Sequence, residues 1–361
     1  MRRTSFAIHF CDVAKESDMT PIFLLGAFLL TISALMLLRP AAKKLGLVDT
    51  PGGRKTHSEA TPMVGGLGIY LGLLAVYIMS PLLLPNYQDL LILSGAVLIF
   101  GVIDDAVGLS PMSRLALHGG IALGMAFIAG IRLETFGNLL GSGPIYLGAL
   151  SVPITVFATI GVINAVNMSD GLDGLSGGLA VIAFTALALC SMLAGEGAMM
   201  NFSIVLIIQV LAFLTLNLRS WWNKRVLMFL GDSGSTLLGF LLAWILIDSS
   251  QGSQPVIQPV HALWFFALPL IDTVSLLIRR PLSGKSAFTP GLDHFHHRLI
   301  RAGYSRKKAV LIMYGLASIF ASIGVISNYV GLDESVMFWL FMLIFGLYML
   351  ATKEQAAQET A

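Results

Sequence analysis

The stretch LLILSGAVLIFGVIDD, residues 90–105, carries no charge until Asp104 and Asp105 close it together. Residues 90–103 read as a membrane helix, so two adjacent carboxylates stand where that helix leaves the hydrocarbon. A charged side chain near the bilayer centre costs roughly 2.5–3.5 kcal/mol on insertion scales, and a neighbouring like charge raises the cost. Such a pair asks for a cation, or for solvent at a helix end; the dipeptide alone allows both.

The rest of the chain has the same character. Of its 361 residues 56% are hydrophobic and 12% charged, whereas soluble domains carry about a quarter charged residues. The expected fold class is an all-α, polytopic integral membrane protein. Eleven apolar runs reach or approach the roughly 20 residues a span needs: 21–38, 63–84, 90–103, 115–130, 147–163, 175–194, 201–216, 235–247, 260–278, 310–326 and 335–350. The third and the eighth are shorter than a full span, which predicts ends enclosed by protein rather than lipid. Cytoplasmic loops hold most Lys and Arg. Alternate loops and the C-terminal tail contain 18 of the 22 basic residues, leaving Arg2, Arg3, Lys15 and Arg132 on the other side. This places the N-terminus outside and the C-terminus in the cytoplasm.

Residues 1–20 show no signal-peptide pattern and are read as a non-native or disordered extension, with Met19 as an alternative start. One transmembrane domain covers 21–351, and 352–361 form a cytoplasmic tail. Cys11 and Cys190 are too few for a disulfide framework or a thiolate metal site.

The polar residues collect on one side. Asp49, His57, Asp104, Asp105, Asn164, Asn167, Asp170, Asp173, Asp232, His294, His296 and His297 all map to cytoplasmic helix ends and loops. A transporter would hold ionisable groups near the bilayer midplane, yet the spans are nearly free of them, Gln209 being the clearest polar side chain inside one. Carboxylates, amides and histidines beside basic loops suit a polyanion held with a metal ion. In the segment from Asn164 to Gly174, glycines allow a tight loop, and one helix cap would account for one Asp but not for two Asn and two Asp. Asp232 opens a helix, where the positive dipole end helps hold an anion, but no P-loop Lys accompanies it. Asp232 with Asn167 makes a plausible oxygen shell for magnesium. Three histidines at 294, 296 and 297 lack the spacing of a zinc protease helix, so His and Arg donors to phosphate oxygens are the better use.

Together, Asp104-Asp105, Asn164-x-x-Asn167-x-x-Asp170-Gly-x-Asp173-Gly174, Gly231-Asp232-Ser-Gly-Ser235 and His294-x-His296-His297 resemble, in order, the polyprenyl-phosphate N-acetylhexosamine-1-phosphate transferase family. The resemblance covers nearly the whole chain after Met19. The His-x-His-His form and the loop from Gly46 to Pro51 are most similar to the branch that moves N-acetylglucosamine 1-phosphate from UDP-N-acetylglucosamine to undecaprenyl phosphate, releasing UMP. UDP-N-acetylgalactosamine or a deoxy-aminosugar would use the same contacts. The resemblance implies a bacterial inner-membrane enzyme with its site facing the cytoplasm, magnesium as cofactor with manganese as an alternative, a membrane lipid as acceptor, no nucleic acid, and a homodimer as an open option. It implies magnesium at Asp232 with Asn167, uracil at Asp173 with Asp170 nearby, phosphate contact by Arg114, and diphosphate or sugar contacts by His294 and Arg298. Asn164, His296 and His297 are further substrate-binding candidates, and Lys55 and His57 are weaker ones, because loop length differs across the family. For Asp104 and Asp105 three roles stay open: nucleophile, cation ligand, or orienter of the lipid phosphate.

Overall fold

The computed structural model describes residues 19–50, 60–218, 225–284, 286 and 291–358; Lys55, His57 and residues 1–18 lie outside them. The described chain is helical: α1 (Pro21–Leu45), α2 (Gly65–Met79), α3 (Gln88–Val107), α4 (Pro111–Phe127), α5 (Ser151–Met168), α6 (Leu175–Ala194), α7 (Gly197–Asn217), α8 (Gly231–Ser250), α9 (Pro259–Phe265), α10 (Ala267–Leu282), α11 (Phe295–Arg301), α12 (Arg306–Val330) and α13 (Glu334–Gln358). Two-residue strands β1 (Val48–Asp49) and β2 (Thr61–Pro62) pair antiparallel, Asp49 opposite Thr61.

Each of the eleven apolar runs becomes helix. Among the described residues eight helices are long and apolar enough to cross a membrane alone, while α2 is a 15-residue helix and α4 has 17 residues. The third and eighth runs were expected to be short, but α3 and α8 are 20 residues each. Both helices continue through their polar ends, α3 past Asp105 to Val107 and α8 from Gly231 through Asp232, where an apolar count stops. Enclosure by protein does hold for α8, 94% buried over its span, against 44% for α3. The ninth run is not one straight span: α9 and α10 meet at an 88° bend. Pro269 explains the break, because it has no N–H for the carbonyl of Phe265 and its ring crowds that position in a continuous helix. Helix α13 extends to Gln358, so the expected tail begins as helix.

Helix α8 is the axis, packed by α3, α5, α2, α6 and α9. Lipid tails are as apolar as Leu, so helix association in a bilayer depends on close packing and hydrogen bonds rather than on hydrophobic transfer. The sequence supplies close packing through small residues. A Cβ on Gly66 would stand 2.4 Å from Cα of Gly234, and one on Gly101 2.3 Å from Cα of Ser233. These glycines bring α2 and α3 onto the first turn of α8. Gln209 of α7 is fully buried and takes the hydroxyl of Thr31 from α1.

Candidate active site

The first turn of α8 has no side-chain cap of its own. Gly231 turns the chain into the helix at φ +77°, and a Cβ there would lie 2.7 Å from Oδ2 of Asp105. Asp105 fills the vacancy from α3: its Oδ1 accepts the backbone N–H of Asp232 at 2.8 Å and its Oδ2 that of Ser233 at 3.1 Å. Two N–H groups that an isolated helix leaves unpaired are thereby satisfied, and a carboxylate sits at the positive end of the helix dipole.

Asp104 is held differently. It is 6% exposed, its Oδ1 accepts the backbone N–H of Leu109 at 2.7 Å, and its Oδ2 lies 2.7 Å from Nε of Arg114. Arg114 also reaches Oδ2 of Asp232 with Nη1 at 3.2 Å. The cation that the dipeptide asks for is therefore Arg114 on Asp104, while Asp105 is answered by backbone amides.

The loop between α5 and α6 meets the same helix end. Asn167 Nδ2 donates to Oδ1 of Asp232 at 2.9 Å and to Oγ of Ser235 at 2.8 Å, which turns its carbonyl oxygen away from both. Asp170 Oδ1 accepts the Ser176 hydroxyl at 2.5 Å. Burial, reinforced by the charges of Asp232, Asp105 and Asp173, pushes the Asp170 carboxyl up to about 7, against the pull of Ser176. Asn164 does not join this group. Its amide donates to the carbonyl of Ile160 one turn back, so the structure satisfies it within its own helix.

Here a cavity of about 560 Å³ opens, its lining including Asp49, Asp105, Asp170, Asp173 and Asp232 together with His297 and Arg306. Its donors are hard oxygens with a surplus of negative charge. That set fits magnesium, which is bound by one or two carboxylates plus substrate phosphates. Among the described residues no three His, Cys, Asp or Glu side chains converge tightly enough to hold an ion unaided, so phosphate oxygens would complete the shell.

The histidine loop splits. His297 lines the cavity. His296 is 2% exposed with Nε2 unpartnered among the described residues, and the place of a Cβ on Gly171 is 2.2 Å from that atom. Burial, with His297 and His294 beside it, lowers its pKa to about 3, which favours the neutral ring. Burial also lowers His297. His294 does not line the cavity; its Nδ1 meets Oδ2 of Asp272 at 2.9 Å. Arg298 uses Nε on the carbonyl of Asp293 at 3.0 Å, a loop-holding bond rather than a cavity contact.

Three residues here were not anticipated. Arg306 opens α12 and lines the cavity; in sequence it is one of three basic residues in a row and nothing sets it apart. Tyr348, whose hydroxyl donates to Oδ1 of Asp272 at 2.8 Å, gives no signal either. Asp272 does, because it is a carboxylate inside the apolar run 260–278, and such a residue is a functional candidate by default. The spans are thus less free of ionisable groups than the sequence reading held.

A second cavity, about 550 Å³, lies among α5, α8 and α10 and is almost wholly apolar, bounded by Phe157, Gly161, Ala243, Leu270, Val274 and Leu277.

A polytopic helical membrane protein with an acidic, partly enclosed polar site at one end of its bundle is the architecture of a membrane-embedded transferase. The chain belongs to glycosyl transferase family 4, whose family model matches residues 88–250. It is 36% identical over 326 residues to the undecaprenyl-phosphate alpha-N-acetylglucosaminyl 1-phosphate transferase of Escherichia coli (strain K12), covering 90% of this chain and 89% of the relative. The enzymes of the same name from Haemophilus influenzae and Yersinia pestis are 39% and 34% identical, each again over 90% of this chain and covering 90% and 89% of the relative.

Proposed function

We propose that this protein transfers N-acetylglucosamine 1-phosphate from UDP-N-acetylglucosamine to undecaprenyl phosphate at the cytoplasmic face of a bacterial inner membrane, with magnesium as cofactor. The observation that carries the reading is a cavity with five carboxylates at the end of a bundle that also holds an almost wholly apolar cavity. A diphosphate nucleotide does not enter five carboxylates without a cation, and a prenyl tail does not lie in a polar groove. Likeness to relatives named for this transfer, over nine-tenths of the chain, supports the same substrates.

In the reaction an oxygen of the lipid phosphate forms a bond to the sugar-linked phosphorus of the UDP-sugar, the bond from that phosphorus to the bridging oxygen breaks, and UMP leaves. One phosphoanhydride replaces another, so catalysis consists mainly of positioning two anions and neutralising charge. A phosphate monoester has a second pKa near 6 and is mostly dianionic at neutral pH, so little proton removal is needed. Asp105 holds the first turn of α8 in place, and that turn presents Asp232. Arg114 ties Asp232 to Asp104. Asp232 would hold magnesium, which would supply charge neutralisation at the diphosphate; Asn167 would join it once its amide turned over and brought the carbonyl oxygen to Asp232 in place of Nδ2. His297 and Arg306 line the same cavity and would meet the anion there, and Asp173, which lines it with Asp170, would meet the base. The apolar cavity beside α10 takes part of the prenyl chain, the remainder lying in lipid.

The test is incubation of purified protein with undecaprenyl phosphate, magnesium and a panel of UDP-sugars, following UMP release and the mass of the lipid product. UDP-N-acetylglucosamine should give the fastest turnover and chelation should abolish it. Preference for UDP-N-acetylgalactosamine would change the sugar; no turnover with any UDP-N-acetylhexosamine would overturn the reading, and activity that survived chelation would remove magnesium from Asp232.

A further inference from the structure

One buried carboxylate is unused by this mechanism. Asp272, on α10, is 6% exposed, and both of its oxygens are engaged. Oδ2 meets Nδ1 of His294 at 2.9 Å, while Oδ1 accepts the Tyr348 hydroxyl at 2.8 Å and the backbone N–H of Phe295 at 3.1 Å. Burying a charge costs several kcal/mol unless its lone pairs are filled, and here they are filled by three donors, two at the start of α11 and one on α13. An ionised carboxylate only accepts, so the ring nitrogen facing it has to donate. His294 therefore carries its proton on Nδ1 and leaves Nε2 for chemistry. The ring belongs to a stack that leads to the polar cavity: His294 to His296 at 5.8 Å between centroids, His296 to His297 at 4.1 Å, and His297 in the cavity wall. Helix α10, which carries Asp272, is tied to the last helix as well, since Nη1 of Arg279 donates to the carbonyl of Thr352 at 3.1 Å.

We propose that Asp272, locked by the Tyr348 hydroxyl and the Phe295 amide, is a positioning residue that sets the tautomer and orientation of His294 for transfer to the lipid phosphate. The assignment rests on the functional reading above. With Nδ1 committed to Asp272, Nε2 accepts when the ring is neutral and donates when it is protonated, and only the protonated ring neutralises phosphate charge. Asp272 is the carboxylate that faces that ring. The cytoplasmic end of α13, far outside residues 88–250 that the family model matches, thereby becomes part of the machinery without touching substrate.

Wild-type protein and the Asp272→Asn, Asp272→Glu and Tyr348→Phe variants are compared in steady-state UMP release across pH, alongside nitrogen NMR of histidine-labelled protein assigned with His294→Gln. An Asn amide would donate to Nδ1 and hold the wrong tautomer, so Asp272→Asn should lower kcat on the order of 10²- to 10⁴-fold. KM for UDP-N-acetylglucosamine should change within about threefold, because the lost interaction belongs to the transition state. The alkaline limb of the kcat profile should differ from that of the wild type, Arg279, Asp293, His296, His297, Arg298 and Tyr348 being the other titratable or charged groups around Asp272 and the ring. Asp272→Glu should restore part of kcat, and Tyr348→Phe should lose about 3- to 10-fold, the value of one hydrogen bond of about 1 kcal/mol. Folded Asp272→Asn with wild-type kcat and pH profile, a loss confined to KM, or a wild-type His294 protonated on Nε2 alone would each overturn the proposal. Should Asp272→Asn fail to fold, unchanged kcat in Tyr348→Phe overturns it. Absence of turnover by the wild type with every UDP-sugar defeats the functional reading instead, and the NMR tautomer still decides the role of Asp272.

Discussion

Replacing Asp105 by Asn separates a capping role from a chemical one. Both carboxylate oxygens accept backbone N–H groups of the first turn of α8, from Asp232 and Ser233. The variant keeps one acceptor, loses the charge at the helix terminus, and turns an amide N–H toward a backbone N–H. The lost charge is worth roughly 0.3–1 kcal/mol, and one buried donor left unpaired costs roughly 1–3 kcal/mol. A net effect of about 2 kcal/mol corresponds to about 30-fold in a local opening equilibrium. Hydrogen exchange of the amides of Asp232 and Ser233, measured in detergent on wild type and variant, reads that factor directly. Turnover should fall, because Asp232 is displaced, but should remain measurable, since the lipid phosphate is already dianionic. Unchanged protection at those two amides together with complete loss of turnover would refute the capping account and return Asp105 to the role of nucleophile.

Two further outcomes follow from packing and charge. Gly66→Ala should destabilise by about 1–3 kcal/mol, because the added methyl meets the backbone of Gly234, which cannot rotate away; Gly120→Ala on α4 meets nothing within 4 Å and should be neutral or mildly stabilising, so thermal unfolding of the two in detergent gives a paired comparison. The Asp170 carboxyl, raised to about 7 mainly by burial, should make magnesium bind more tightly at pH 8 than at pH 6, and Asp170→Asn should flatten that dependence in a direct titration. Between its ordinary value of 3.8 and about 7 the folded chain holds a proton that the unfolded chain has released, so this group's contribution to stability falls as pH rises through that window.

Length and charge spacing were enough to read a polytopic helical bundle, because a backbone in lipid has few ways to satisfy its hydrogen bonds. The clustering of Asp104, Asp105, Asn167, Asp170, Asp173 and Asp232 at one end was legible for the same reason: topology sends each of these loops to one side. Side-chain direction was not. Asn164 and Asn167 sit three apart, yet one bonds to its own helix and the other to Asp232. His294 and His297 belong to one motif, yet one is turned to Asp272 and the other to the cavity. Pro269 was visible in the ninth run, but the 88° bend it permits needed the neighbouring packing to define it.

The pair at Asp104 and Asp105 divides along this line. Sequence alone determined that two carboxylates end a membrane helix and that something has to offset their charge, because the cost of ionised groups near hydrocarbon does not depend on the fold. Tertiary structure decided what offsets it, and gave the two neighbours different answers: a guanidinium from α4 for Asp104 and the open amides of α8 for Asp105. Adjacent residues on a helix point about 100° apart, so each meets a different element, and only the packing of those elements says which.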